Sequence, residues 1–172
     1  VSTSDVNVMM KILNHIGAEV TLINKNSIRI APRHVNSYVI SHDMTKFLRA
    51  SYYFIGALLG RFGRAKVAMP GGCDLGARPI DQHIKGFKAL GANVEETTEY
   101  VAMTPGENGL QGNRVCLDMA SVGATANIMM AAVLMEGQTI IENAAKEPHI
   151  VDLANFLNTM GAQISGAGTD TV

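Results

Sequence analysis

The sequence predicts an α/β fold assembled from repeated β-α-β-α-β-β units, the first incomplete, with helices gathered centrally and sheets outside. Three observations carry this. One phrase recurs, as Ile16-Gly17-Ala18-Glu19-Val20, Leu90-Gly91-Ala92-Asn93-Val94 and Met160-Gly161-Ala162-Gln163-Ile164, with a period of roughly 70–75 residues. Each copy follows a stretch with apolar residues at helical spacing and precedes residues that alternate like a strand. The later two copies also carry an earlier strand and helix. Units of this kind bury one sheet face under two helices, and three can share a core by packing their helices together.

The elements follow in order. Val8, Ile12 and Ile16 mark a first helix, which Gly17 stops because glycine adopts the left-handed conformation at least cost. Strands follow after Gly17 and at 27–30. A helix over 44–61 leads to a strand at 66–69. Ile80, Ile84 and Phe87 mark the next helix, Gly91 its stop, and 100–103 the returning strand. Val115-Cys116-Leu117 reads as an apolar strand with Cys116 an inert core residue. A helix over 122–135, a strand at 139–142, a helix through Ile150, Leu153 and Leu157, and strands after Gly161 and from Thr169 complete the pattern. The units fall at about 1–43, 44–113 and 114–172 of a single domain. The chain opens at Val1 without methionine and stops at Val172 in mid-pattern, which predicts cuts in a longer chain.

Composition narrows the function. The 172 residues suit one domain with a sizeable core. With 47% hydrophobic and 17% charged residues the chain is globular. A net charge of −1 leaves no basic excess to neutralise phosphates of nucleic acid. Aromatics at 5% and no Trp argue against stacking on single strands. The longest apolar runs are too short to span a membrane. Two cysteines and no signal peptide point to a reducing cytoplasm.

The chemistry concentrates in the loop Pro70-Gly71-Gly72-Cys73-Asp74-Leu75-Gly76-Ala77-Arg78-Pro79. Its glycines and prolines demand special dihedrals, and Pro79 suits a first helical position. Arg78 beside a helix start makes an anion site, and positive potential there favours a Cys73 thiolate. A structural turn with an inert cysteine is the competing reading. Arg49 stands on an apolar helix, as a ligand group or as an interfacial arginine whose head reaches water. Ser121 reads as an N-cap, and the helix start at Ser121-Val122-Gly123 also suits an anion. Asp81 fits a first-turn acid. His15, His34, His42, His83 and His149 show no metal spacing, so surface or helix-face roles are expected and neither metal nor cofactor is.

At these residues the chain resembles the UDP-N-acetylglucosamine 1-carboxyvinyltransferases. The resemblance rests on Leu48-Arg49-Ala50-Ser51, Pro70-Gly71-Gly72-Cys73, Gly76-Ala77-Arg78-Pro79, Ser121-Val122-Gly123-Ala124-Thr125 and Thr139-Ile140-Ile141-Glu142-Asn143-Ala144-Ala145. Glu147-Pro148 and Gly166-Ala167-Gly168-Thr169-Asp170 extend it to nearly the whole chain. It implies an inside-out α/β barrel of two similar domains, this chain being most of the one that bears the cysteine loop. It implies transfer of the enolpyruvyl group of phosphoenolpyruvate to the 3-hydroxyl of UDP-N-acetylglucosamine, with release of phosphate, as the first committed step of cytoplasmic peptidoglycan synthesis.

The site residues carry over individually. Cys73 matches the family's proton donor, which also forms a covalent phosphoenolpyruvate adduct and is alkylated by fosfomycin. Arg78 matches a phosphate-contacting arginine. Arg78, Pro79, Ile80, Asp81 and Gln82 match the lining of the UDP-sugar site. Arg49 matches a UDP-sugar arginine, and Ser121, Val122 and Gly123 a nucleotide-contacting turn. Met119 departs from members with a nucleotide-contacting lysine there. The family's phosphoenolpyruvate-gripping lysine–asparagine pair precedes Val1. Its aspartate base and several arginines belong to the second domain, so the isolated chain is expected to be inactive. The alternatives are the related shikimate-pathway enolpyruvyl transferase, which lacks this cysteine loop, and a UDP-sugar-binding paralogue without chemistry.

Overall fold

The computed structural model describes residues 3–46, 48–69 and 80–172, with the backbone alone at Arg49. In order the elements are α1 (Ser4–His15), β1 (Glu19–Asn24), β2 (Ser27–Ala31), β3 (Val39–Ile40), α2 (His42–Thr45), a 3₁₀ turn (Arg49–Tyr52), α3 (Tyr53–Phe62), β4 (Ala65–Ala68), α4 (Asp81–Ala89), β5 (Ala92–Glu96), β6 (Tyr100–Pro105), β7 (Arg114–Cys116), α5 (Val122–Ala132), β8 (Ile140–Glu142) and α6 (Pro148–Thr159).

Among the described residues the strands form three separate sheets: β1-β2, β3-β4-β6-β5 and β7-β8. The middle sheet belongs to a whole β-α-β-α-β-β unit. In it β3 runs parallel to β4, and β4 and β5 both run antiparallel to β6. The other sheets repeat parts of that plan. The antiparallel pair β1-β2 matches β5-β6, and the parallel pair β7-β8, crossed over by α5, matches β3-β4. An antiparallel bridge from Glu142 to Thr171 stands where β4 pairs with β6. Repeated units with separate sheets, not one continuous sheet, are therefore what the glycine phrases encoded.

The glycines do the work expected of them. Gly17, Gly91 and Gly161 have φ of 102°, 88° and 105° at the ends of α1, α4 and α6. At Gly17 its own N–H bonds Asn14 O and the next N–H, of Ala18, reaches back to Leu13 O. Gly161 and Ala162 do the same with Asn158 O and Leu157 O. This double bond satisfies the last carbonyls of the helix only if the glycine position is left-handed.

The core is helical at its centre. Helix α5 packs against α3, α4 and α6. It is buried at Ala124, Thr125, Ala126, Asn127, Ile128, Met129 and Ala131, so it presents no solvent stripe. Small residues permit the close approach. A Cβ at Gly56 of α3 would lie 2.2 Å from Asn127 O, and one at Gly60 2.9 Å from Met130 O. The Asn127 side chain uses this proximity, accepting from Gly56 N–H at 2.9 Å and donating to Gly123 O at 3.0 Å.

Five expectations are corrected. The helix over 44–61 is broken into α2, the 3₁₀ turn and α3, with Leu48 extended at φ −139°. Strand β3, ahead of residue 44, supplies the leading strand of the middle sheet. No strand forms after Gly161, where the Asn158 side chain bonds the N–H and the C=O of Ile164 at 2.7 and 2.9 Å, nor from Thr169, where Thr171 makes a single bridge to Glu142. Finally, Cys116 is exposed, not core: in β7 only Val115 faces inward.

Candidate functional site

The described site residues converge where α4 and α5 begin. Ile80, buried at 5% exposure, is the N-cap of α4, and Asp81 is its first-turn acid. A carboxylate there is favoured by the positive end of the helix. Ser121 caps α5, its Oγ accepting from Ala124 N–H at 3.3 Å. Thr125 N–H is taken by Ser121 O. The earlier N–H groups of that turn, on Val122 and Gly123, point out of the helix start as in any first turn. Such a start attracts anions.

A polar brace joins the two helix starts. Gln82, 6% exposed, donates from Nε2 to Asp81 Oδ2 at 2.9 Å and to Asp118 Oδ2 at 3.1 Å. Its Oε1 accepts from Asp118 N–H at 2.8 Å. Lys85 bonds the other carboxylate oxygen of Asp118. The hydrogen bonds from Lys85 and then Gln82 hold the Asp118 carboxyl below its ordinary range. With both ends of its amide engaged by protein, the Gln82 side chain sets the spacing of the two turns.

Behind the brace, His83 of α4 lies against Gly123 of α5. A Cβ at Gly123 would meet His83 Nε2 at 2.8 Å. Burial drives the imidazole pKa from 6.5 down to about 4, against the opposing pull of Asp81. The ring is therefore neutral at neutral pH. His15, His34, His42 and His149 are exposed, as expected of surface histidines. Asp118 and Lys85 are residues at this place that the sequence did not single out, and His83, read there as a surface or helix-face histidine, is largely buried where α4 meets α5. The signal for Asp118 and Lys85 was weak: one acid and one base, 33 residues apart, with no motif between them.

Of the predicted residues, Ile80, Asp81, Gln82, Ser121, Val122 and Gly123 are brought together. Arg49 enters through its backbone, in the 3₁₀ turn that leads into α3. Cys73, Arg78 and Pro79 lie outside the described residues. Met119, beside the Ser121 turn, is 64% exposed. A groove of about 730 Å³ sits elsewhere, by the far end of α5, β8 and residues 161–166, and no ionisable side chain lines it. It has none of the charge that an anionic ligand needs. Among the described residues no group of histidine, cysteine and carboxylate side chains could hold a metal ion. No described helix is long and apolar enough to cross a membrane.

Comparison with known proteins agrees with this architecture. The model of the family EPSP synthase (3-phosphoshikimate 1-carboxyvinyltransferase) matches residues 1–172. The UDP-N-acetylglucosamine 1-carboxyvinyltransferase of Finegoldia magna is 50% identical over 168 residues, covering 98% of this chain and 40% of the relative. The protein of that name from Lactobacillus johnsonii is 53% identical over 169 residues, with the same coverage. The chain thus spans about 40% of the length of the curated relatives it matches. Among solved structures, the enolpyruvyl transferase NikO from Streptomyces tendae superposes with a TM-score of 0.78 at 19% identity, covering 98% of this chain and 39% of that one. EPSP synthase from Acinetobacter baumannii superposes at 0.72 and 20% identity, covering 99% and 39%. At such identities the structures speak to the fold, which is that of the enolpyruvyl transferases.

Proposed function

The chain belongs to the EPSP synthase family, and from that premise we propose that it is the cysteine-loop part of an enzyme that moves the enolpyruvyl group of phosphoenolpyruvate to the 3-hydroxyl of UDP-N-acetylglucosamine. Phosphate leaves, and the product opens peptidoglycan synthesis in the bacterial cytoplasm. The observation that carries the reading is the identity of about half over 98% of the chain to relatives of that name. The shikimate-type acceptor is less favoured, since the relatives at about half identity carry the UDP-N-acetylglucosamine name.

The reaction divides into addition and elimination. The acceptor's 3-hydroxyl oxygen bonds to C2 of phosphoenolpyruvate, and its proton passes to a carboxylate base from the rest of the protein. Cys73 delivers a proton to C3, which becomes a methyl group. The tetrahedral adduct then loses a proton from C3 and expels phosphate, restoring the double bond. Cys73 also forms the covalent phosphoenolpyruvate adduct. Arg78, on the loop, meets phosphate-bearing ligand. The main-chain N–H groups of Val122 and Gly123, with Ser121, receive the nucleotide diphosphate at the start of α5. Arg49, Pro79, Ile80, Asp81 and Gln82 line the UDP-sugar side, Gln82 by holding the turn in place. The aspartate base and further arginines come from the second domain, so the isolated chain binds UDP-sugar weakly and turns nothing over.

The test is phosphate release by the full-length protein with phosphoenolpyruvate and one of two acceptors. Release with UDP-N-acetylglucosamine and none with shikimate 3-phosphate is the expected result. The reverse preference overturns the reading.

A further inference from the structure

We propose that His83 is a positioning residue for the turn at Ser121, Val122 and Gly123, its ring occupying the volume that a side chain at Gly123 would need. The inference rests on the proposed function, because it assigns that turn to the nucleotide diphosphate.

The geometry is specific. Among the described residues a Cβ built at Gly123 meets two atoms within 4 Å, Nε2 of His83 at 2.8 Å and Cε1 at 3.1 Å. Neither the main chain nor any other side chain among the described residues crowds that position. Among the described residues the crowding at Gly123 therefore comes from one imidazole. That ring is held by packing: its Nδ1 is buried and has no hydrogen-bond partner among the described residues.

A reciprocal contact lies further along the same helix pair. A Cβ at Gly86 of α4 would lie 2.2 Å from Cδ1 of Ile128 on α5. Each helix thus offers one glycine to one large side chain of the other. Sliding α5 along α4 would break both fits, so the pair sets the register of the two helices. Gln82 fixes the same register through Asp118.

The consequence for ligand is positional. The N–H groups of Val122 and Gly123 act on an anion only from the right place, and misplacement by about 1 Å costs on the order of 10²-fold in function. The contact that Ala would make at Gly123 is roughly 0.7 Å shorter than ordinary van der Waals separation. Either the ring leaves or the turn moves by that much.

The experiment is steady-state kinetics of the full-length protein, with phosphoenolpyruvate saturating and UDP-N-acetylglucosamine varied. Gly123→Ala should raise the KM for the nucleotide sugar about tenfold or more, with kcat changed less. Adding His83→Ala should reverse at least about threefold of that rise, because the obstructing ring is gone. A general loss of stability lowers the amount of active enzyme and so the apparent kcat, not KM, so recovery of KM reports the turn. A double variant no better than Gly123→Ala overturns the proposal. Should Gly123→Ala fail to fold by circular dichroism, single substitutions at His83 decide. Gln, of similar volume, should hold KM within about threefold of wild type, and Ala should raise it beyond that. Equal KM values for the two variants overturn the proposal. A wild-type protein with no turnover of UDP-N-acetylglucosamine would instead sink the proposed function, so the two failures are distinct.

Discussion

Replacing Gly56 by alanine tests the central packing of the helices. In an exposed helix this change stabilises, since alanine is better than glycine by about 0.8–1 kcal/mol. Here the added Cβ would stand 2.2 Å from Asn127 O and 2.9 Å from two further backbone atoms of that residue. To reach ordinary contact α3 must retreat from α5 by roughly 1 Å. Overpacking of this kind costs about 1–3 kcal/mol. The retreat also stretches the 2.9 Å bond from Gly56 N–H to Asn127 Oδ1, which is buried. An orphaned buried group adds about 1–3 kcal/mol. Against a propensity gain near 1, the net loss is about 1–5 kcal/mol. Urea unfolding followed by far-ultraviolet circular dichroism reads it directly, with a slope of about 1–3 kcal/mol per molar for a small protein. The midpoint should fall by about 0.3 M or more. Gly63→Ala is the comparison. Gly63 sits at φ 66° with nothing among the described residues within 4 Å of the added carbon, so conformational strain of about 1–2 kcal/mol is what applies. A Gly56→Ala midpoint equal to or above wild type would refute the close α3–α5 packing.

Two further outcomes are expected. Because the folded His83 pKa is lowered from 6.5 to about 4, the unfolded chain binds the extra proton first as pH falls. Stability from this group is constant above about pH 6.5 and declines between there and pH 4, by up to about 3 kcal/mol. Urea midpoints across that window should show the decline, and His83→Gln should remove this share of it; an unaltered slope in the variant contradicts the burial argument. As for the thiols, exposed Cys116 should react with iodoacetamide, and Cys73 should react faster at pH 7, with a labelling pKa at or below about 8.5. Peptide mass analysis separates the two, and equal rates with equal pH profiles remove the special status of Cys73.

The repeat was legible because it is written in backbone chemistry. A helix that ends on a left-handed residue asks for glycine, and Gly17, Gly91 and Gly161 each answer with positive φ. The cap at Ser121 was legible for the same reason, as a side chain acting on its own neighbourhood. What stayed hidden depends on residues far apart in sequence. The break at Leu48 gives no sign in the sequence, since neither proline nor glycine stands between Met44 and Ile55. Strand β3 has two residues, too few for alternation, and exists through its pairing with β4. The missing strand after Gly161 has no local sign, although Asn158 reaches six residues on to bond Ile164. Asn14 makes the like contact with Val20 N–H, yet there β1 still pairs with β2. Cys116 was misplaced although alternation about Val115 and Leu117 points it outward; its apolar character outweighed parity. The role of His83 needed the distance to Gly123, which lies 40 residues along the chain.

The most direct test of the account is the mass of the product made by the full-length protein and by its Cys73→Ser variant at neutral pH. The wild type should convert UDP-N-acetylglucosamine, with phosphoenolpyruvate, into a species heavier by one enolpyruvyl group, releasing one phosphate for each. Serine is a far weaker acid than cysteine, so the variant should lose nearly all of this conversion while retaining nucleotide-sugar binding. Conversion by the variant at the wild-type rate would contradict Cys73 as the proton donor, and absence of the enolpyruvyl product from the wild type would contradict the function itself.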